Sequence, residues 1–319
     1  MASTAVLVTG GAGYIGRWLA RELVGRSVET VALDRQAPEP ASPLGLPPEV
    51  AFVQGDVTDR EAVLAAASRQ PFGAVVHLAG VVTMGCERDP DLGMRVNLGG
   101  THNVLEAARL AGIPRVVFAS TISVYGPNVP QPITEDAPAE PLTWYGQSKV
   151  MAEQLGLYYQ RRFGLDFRAA RLAAIVGPFR VAASGSATMY TSLILERAAL
   201  GQPYHIDVDE RAATPVCYVK DAARALATLS AVEAAPRRIY NVGTCRASAV
   251  GLLEIARRKV PDARIEFRPD PNLAAVGRIS WEWDLSIEAA AEDLGWRPAY
   301  SLETMAEDLM ATARGERPV

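Results

Sequence analysis

The sequence predicts an α/β fold, a doubly wound parallel sheet followed by a smaller C-terminal α/β domain. Three observations carry this. Short β-branched apolar runs alternate with helix-period stretches through the first half of the chain. The runs are continuously apolar, as strands covered by helices on both faces must be. A glycine-rich turn links the first run to the first helical stretch. With 319 residues, 49% hydrophobic and 21% charged, the chain can bury a large core without disulfides, and disorder, collagen and coiled coil are excluded as its main character.

The elements follow in order. Residues 5–9 read as the first strand, and 16–24 as a helix with Trp18, Leu19 and Leu23 on one face. Residues 28–33 form a second strand ending at Asp34, and 50–54 a third ending near Asp56. Between them, Gln36 to Pro48 carries prolines at 38, 40, 43, 47 and 48, so a loop replaces the usual crossover helix. Strands at 74–78, 115–119 and 167–174 continue the series, with helices at 60–69, 99–111 and 145–163 between them. Crossovers are expected to be right-handed. The first domain is placed at 1–174 and the second at 175–319. The second holds helices at 189–200 and 248–259 and strands at 239–242 and 264–268, with about 213–245 expected to pack back onto the first.

Lys plus Arg number 32 and Asp plus Glu 36, a net charge of −4, which gives no signal for nucleic acid or an anionic membrane. Cys86, Cys217 and Cys245 are far apart and form no CxxC pair. A disulfide framework and a metal site are not expected, and a reducing compartment fits. No apolar run approaches the ~20 residues of a membrane helix. Residues 4–9 already read as a strand rather than a leader. A soluble, cytoplasmic protein is expected, without nucleic-acid or membrane partners.

Gly10, Gly13 and Gly16 stand between strand and helix. That spacing allows a tight turn, close approach of backbone to a diphosphate, and close helix–strand packing, with the helix N-terminus facing the phosphates. Tyr14 and Ile15 lie within it. Asp34 is placed to accept hydrogen bonds from the adenosine ribose and to repel a 2′-phosphate, favouring NAD over NADP. Arg35, next in the chain, would accept such a phosphate. Asp56 and Val57 are placed near the adenine. An ordinary glycine turn and two aspartate turn caps are the bland alternative.

Tyr145 and Lys149 are spaced i, i+4 on a predicted helix and share a face. A free tyrosine, with a pKa near 10, is a poor base, and positive charge beside it stabilises tyrosinate. Upstream, Ser120, Thr121 and Ser123 end a strand. Their hydroxyls suit a substrate oxygen, but alternate side chains face opposite ways, so they cannot share one role.

With these motifs in place, the chain resembles the extended short-chain dehydrogenases/reductases of the NAD-dependent epimerase/dehydratase family. The matching pieces are TGGAGYIG at 9–16, Asp34, GDVTD at 55–59, HLAG at 77–80, and Asn97 with GGT at 99–101. STISVYG at 120–126, YGQSK at 145–149, YVKDAARAL at 218–226, YNVG at 240–243 and LGWRP at 294–298 complete the set. The resemblance implies a Rossmann-type domain, NAD as cofactor, Thr121 at the catalytic Ser/Thr position, Tyr145 as base and Lys149 as its partner. It also implies that Leu78, Ala79, Gly80 and Asn97 line the cofactor, and that helices 99–111 and 146–162 pair in a homodimer.

Within the family, sugar dehydratases carry an Asp-Glu pair after the catalytic Thr, where this chain has Ile122-Ser123. Nucleotide-sugar epimerases read R-x-F-N-x-x-G-P where this chain has Ala174 in place of the Asn. Residues 158–168, 267–270 and 280–281 and the Trp296 region look like short-chain L-threonine 3-dehydrogenases. Residues 85–97 and 182–186 look like dehydrogenases of four-carbon sugar acids. The expected activity is NAD-dependent oxidation of a secondary alcohol on a small hydroxy acid, sugar acid, free sugar or amino-alcohol acid. The alternative is a nucleotide-sugar 4-epimerase with tightly held NAD. Candidate substrate contacts are Ser123, Arg180, Ser186, Thr188, Arg278 and Trp281. His77 is read as a packing or cofactor-wall residue, and Cys86 as incidental, in a loop near the pocket.

Overall fold

A computed structural model of the chain describes residues 5–38, 43–180, 188–270, 280 and 282–318. The central sheet has seven parallel strands: β1 (Val6–Thr9), β2 (Thr30–Asp34), β3 (Ala51–Gln54), β4 (Ala74–His77), β5 (Arg115–Thr121), β6 (Asp166–Leu172) and β10 (Ile239–Val242). Their order is β10-β6-β5-β4-β1-β2-β3. Every residue of β1 and β4 is buried, because helices cover both faces.

One face is covered by α1 (Tyr14–Gly25) and α8 (Val219–Ala231), which pack together. The other is covered by α2 (Arg60–Ala67), α5 (Thr101–Leu110) and α6 (Trp144–Phe163). Between β1 and β4 the strand order reverses, so loops leaving the carboxyl ends of these neighbours diverge and open a crevice there. Register aligns Thr9 with both Leu33 and His77, which brings the strand ends to one level.

A second sheet joins β7 (Ala174–Val176), β9 (Ala213–Tyr218) and β11 (Cys245–Ser248); a third pairs β8 (Tyr204–Ile206) with β12 (Ile265–Phe267). With α7 (Tyr190–Ala199) and α9 (Ala249–Lys259) they form the smaller layer. Strand β10 returns to the central sheet and pairs with β6 from Ile239↔Ala169 to Val242↔Leu172.

Three expectations need correction. The run at 167–174 is not one strand: β6 stops at Leu172, and β7 enters the second sheet against β9. The helix expected from residue 99 begins earlier, as a π-helical segment, Met94–Gly100, that runs into α5. Cys86 lies in a short helix, α3 (Thr83–Arg88), and is fully buried. The described residues between 36 and 48 carry no helix.

Candidate active site

The glycine turn is shaped by contacts that side chains would block. Gly10 adopts φ +69°, and a Cβ there would lie 2.7 Å from the Ala79 nitrogen. A Cβ on Gly16 would lie 2.4 Å from the Gly10 oxygen. Gly13 caps α1 with no side-chain bond among the described residues, which leaves the first-turn amides to an external anion. This is a backbone cradle that fits a dinucleotide diphosphate.

Asp34 is fixed by two amides: Oδ2 accepts the Ala12 N–H at 3.1 Å and Oδ1 the Gln36 N–H at 3.2 Å. Arg35 is exposed beside it. Asp56 Oδ1 accepts the Thr58 amide at 2.8 Å and its hydroxyl at 2.9 Å, so it caps a turn at the cavity wall. Val57 is buried next to it. Arg17 donates to the Ala12 and Leu44 carbonyls at 2.6 and 2.8 Å, and Arg21 to Gly45 at 2.7 Å. The first helix thereby ties down the proline-rich loop, and Leu44 joins the cavity wall.

One cavity of about 950 Å³ connects these parts to the second layer, at the upper end of the ~300–1,000 Å³ usual for ligand sites. Gly10, Gly13, Tyr14, Ile15, Gly16, Asp34, Arg35, Asp56, Val57, Leu78, Ala79 and Gly80 all line it. So do Thr121, Ser123, Tyr145, Lys149, Arg180 and Thr188. Asn97 is the exception. It lies one layer behind the wall: its Oδ1 accepts the Val81 N–H at 2.7 Å, and its Nδ2 donates to the Val81 carbonyl at 3.0 Å and to Ser148 Oγ at 2.9 Å. Asn97 sits buried in the π-helical turn and braces the Val81 backbone instead of lining the cavity. Ser186, Arg278 and Trp281 lie outside the described residues.

Thr121 ends β5, and its hydroxyl lies 3.2 Å from Ser123 Oγ. Tyr145 and Lys149 come from the first turns of α6, which Thr143 caps through the Gly146 N–H at 3.1 Å. Lys149 is 4% exposed; its Nζ donates to the Ala119 carbonyl at 2.9 Å and lies 5.8 Å from the centroid of the Tyr145 ring. Burial pulls the lysine down to about 8. Burial pushes the Tyr145 phenol up to about 12, and a hydrogen bond with Thr121 partly offsets that. Added positive charge would lower the tyrosine further.

Ser120 faces the other way, as strand alternation requires. Its hydroxyl donates to Glu153 Oε1 at 2.5 Å. Glu153, one turn beyond Lys149, takes a two-pronged bond from Arg171 at 3.0 and 2.8 Å. Arg171 also donates to the Tyr125 hydroxyl at 2.9 Å, which bonds Asn241 at 2.7 Å. Sequence reasoning missed this buried network; the signal was an acid at Lys149 + 4 with an arginine inside an apolar strand. His77 is buried between the Thr9 and Thr101 hydroxyls at 2.6 and 3.0 Å. Burial, with the Lys149 charge nearby, lowers it to about 3 and keeps it neutral.

Residues 6–243 match the NAD dependent epimerase/dehydratase family. The chain belongs to this family. It is an NAD-dependent enzyme of the extended short-chain dehydrogenase/reductase type, and its parallel sheet is the Rossmann-type fold of that family. It is 34% identical over 297 residues to the D-erythronate dehydrogenase of Cupriavidus necator, covering 89% of this chain and 87% of that one. A holo L-threonine dehydrogenase structure from Cupriavidus necator superposes with a TM-score of 0.88 at 27% identity, covering 97% of this chain and 99% of that one. The Thermus thermophilus UDP-glucose 4-epimerase in complex with NAD superposes with a TM-score of 0.81 at 28% identity, covering 98% and 100%.

Proposed function

We propose that the enzyme is a dehydrogenase that oxidises a secondary alcohol on a small polar substrate: a hydroxy acid, sugar acid, free sugar or amino-alcohol acid. One observation carries the reading. Thr121, Tyr145 and Lys149 meet at the wall of the cavity that also holds the glycine cradle and Asp34. In its oxidised form, NAD supplies the hydride acceptor and a positive charge. Tyr145, as tyrosinate, takes the alcohol proton; Thr121 orients the oxygen; Lys149 stabilises the phenolate. Asp34 receives the ribose hydroxyls, with Asp56 and Val57 toward the adenine. Residues 175–319, apart from the α8 and β10 stretch that packs on the central sheet, serve mainly as the substrate domain.

An epimerase would keep its NAD and give no net NADH. Ala174, at the cavity wall where epimerases carry an asparagine, offers no side-chain hydrogen bond to a sugar diphosphate. That favours the dehydrogenase. We place the enzyme in the cytoplasm as a homodimer formed by α5 and α6. Exposed Leu110, Tyr158 and Phe163 on and beside these helices supply apolar area for it.

The test is NADH absorbance with a panel of hydroxy acids, aldonates, free sugars and L-threonine. NADH is expected with at least one acid. Tyr145→Phe is expected to lower kcat by about 10²-fold or more while NAD binding persists. UDP-sugar interconversion without NADH would decide for the epimerase.

A further inference from the structure

The segment that follows β7 forms part of the cavity wall and is tied to the phosphate-binding turn by one side chain. Tyr14 is the first residue of α1, directly after the Gly13 cap, and lines the cavity. Its hydroxyl donates to the Pro178 carbonyl at 2.9 Å, across 164 residues of chain. Among the described residues no other hydrogen bond joins Gly10–Gly16 to residues 174–180. The approach is close. A Cβ on Gly177 would lie 2.4 Å from the Tyr14 hydroxyl oxygen and 2.6 Å from Val219 Cγ1 of α8, so a glycine is needed where the ring ends. Burial pushes the phenol well above its ordinary value, which keeps it protonated and donating at neutral pH.

The rest of the segment is held by α7 and by itself. The Gly177 N–H donates to Ser192 Oγ at 3.2 Å and the Phe179 N–H to Glu196 Oε1 at 3.3 Å, both at the long end of the usual range. Arg180 Nη1 donates to the Ile175 carbonyl at 2.6 Å. Phe179 and Arg180 line the cavity. Phe179 stands at φ +62°, a conformation that costs a non-glycine residue energy and persists only where its surroundings over-determine it. At the opposite end of Tyr14, the first-turn amides of α1 are left for the diphosphate. Bonding there fixes the backbone of residue 14, and with it the direction of the hydroxyl that holds Pro178.

We infer that Tyr14 is a positioning residue that couples the cofactor site to this wall. With the diphosphate bound, the first turn of α1 is fixed, and the tyrosine hydroxyl passes that order to Gly177–Arg180. The wall beside the substrate is therefore firmer in the cofactor-bound enzyme than in the free one. The inference needs only NAD binding, so it stands for a dehydrogenase and for an epimerase alike.

The test is hydrogen–deuterium exchange of the whole protein with and without NADH, read in peptides covering residues 10–16 and 175–180. In the wild type NADH is expected to slow exchange in both. In Tyr14→Phe the slowing at 10–16 remains and the NADH Kd stays within about twofold, while the slowing at 179–180 shrinks about threefold or more, as the loss of one neutral hydrogen bond provides. Ser192→Ala is the control for a purely structural role. It cuts a tether on the α7 side, so exchange at 175–180 rises with and without NADH, but the difference NADH makes persists. Exchange in β4 at the wild-type rate shows that both variants fold. No slowing at 179–180 in the wild type overturns the inference. Equal slowing in Tyr14→Phe also overturns it, because the cofactor then acts on the wall without the tyrosine. Loss of the difference in Ser192→Ala overturns it too, since any loosening of the segment would then suffice. So does loss of the slowing at 10–16 in Tyr14→Phe, because the phenol then serves the cofactor site alone.

Discussion

Tyr145 and Lys149 pose a problem in charge. Burial works against both charged forms: the phenol is pushed up to about 12 and the ammonium down to about 8. A base must be deprotonated to act, so kcat/KM for alcohol oxidation is expected to rise with pH. Removing the lysine charge takes stabilisation from the phenolate. In Lys149→Met the rising limb therefore moves to higher pH, and a pH series of kcat/KM at saturating NAD measures it. An unmoved limb would mean the lysine serves only binding. The Tyr145–Lys149 pair was readable from its i, i+4 spacing, whereas strand alternation left Ser120, Thr121 and Ser123 open and only the family resemblance pointed to Thr121. The placing of Asn97 behind the wall was not readable. Asn97 lies in a π-helical turn, which the residue composition there does not announce.

At the scale of elements, one carboxylate fastens the catalytic helix to the sheet. Glu153 of α6 bonds Ser120 of β5 and Arg171 of β6. Glu153 is 1% exposed and Arg171 4%. Removing one partner of such a pair strands a buried charge and costs about 3–5 kcal/mol, whereas replacing both with apolar groups is far cheaper. Glu153→Met and Arg171→Met are each expected to lose that much in urea denaturation. The double variant should lose clearly less than their sum; additive losses would show that the two residues act independently. The series of strands was readable because buried parallel strands are continuous apolar runs. Its break at Ala173 was not, since a run that changes sheets looks like one that stays in line. The proline-rich segment announced the missing crossover helix, but not the two arginines of α1 that hold its described part in place.

Across the whole molecule, the sheet is closed at its middle by a neutral histidine. His77 joins β1 to α5 through the Thr9 and Thr101 hydroxyls, at the point where the strand order reverses and the cavity opens. Its position after an apolar strand was legible; its hydrogen bonds with the Thr9 and Thr101 hydroxyls were not, because they depend on how strand and helix are placed in the fold. The folded protein holds this ring at about 3 against an ordinary value of 6.5. The unfolded chain therefore takes up the proton first as pH falls. The ring's contribution to stability is complete above pH 6.5 and is lost progressively below it, at about 1.4 kcal/mol per pH unit. Between pH 6.5 and 5 the loss from this one residue is about 2 kcal/mol. His77→Gln keeps a polar group at the site but cannot take up a proton there. It is expected to be less stable than the wild type at pH 7.5, and to lose distinctly less between pH 6.5 and 5 in denaturant titrations. Parallel losses in the two proteins would place the acid sensitivity elsewhere, among the carboxylates held by arginines at the surface.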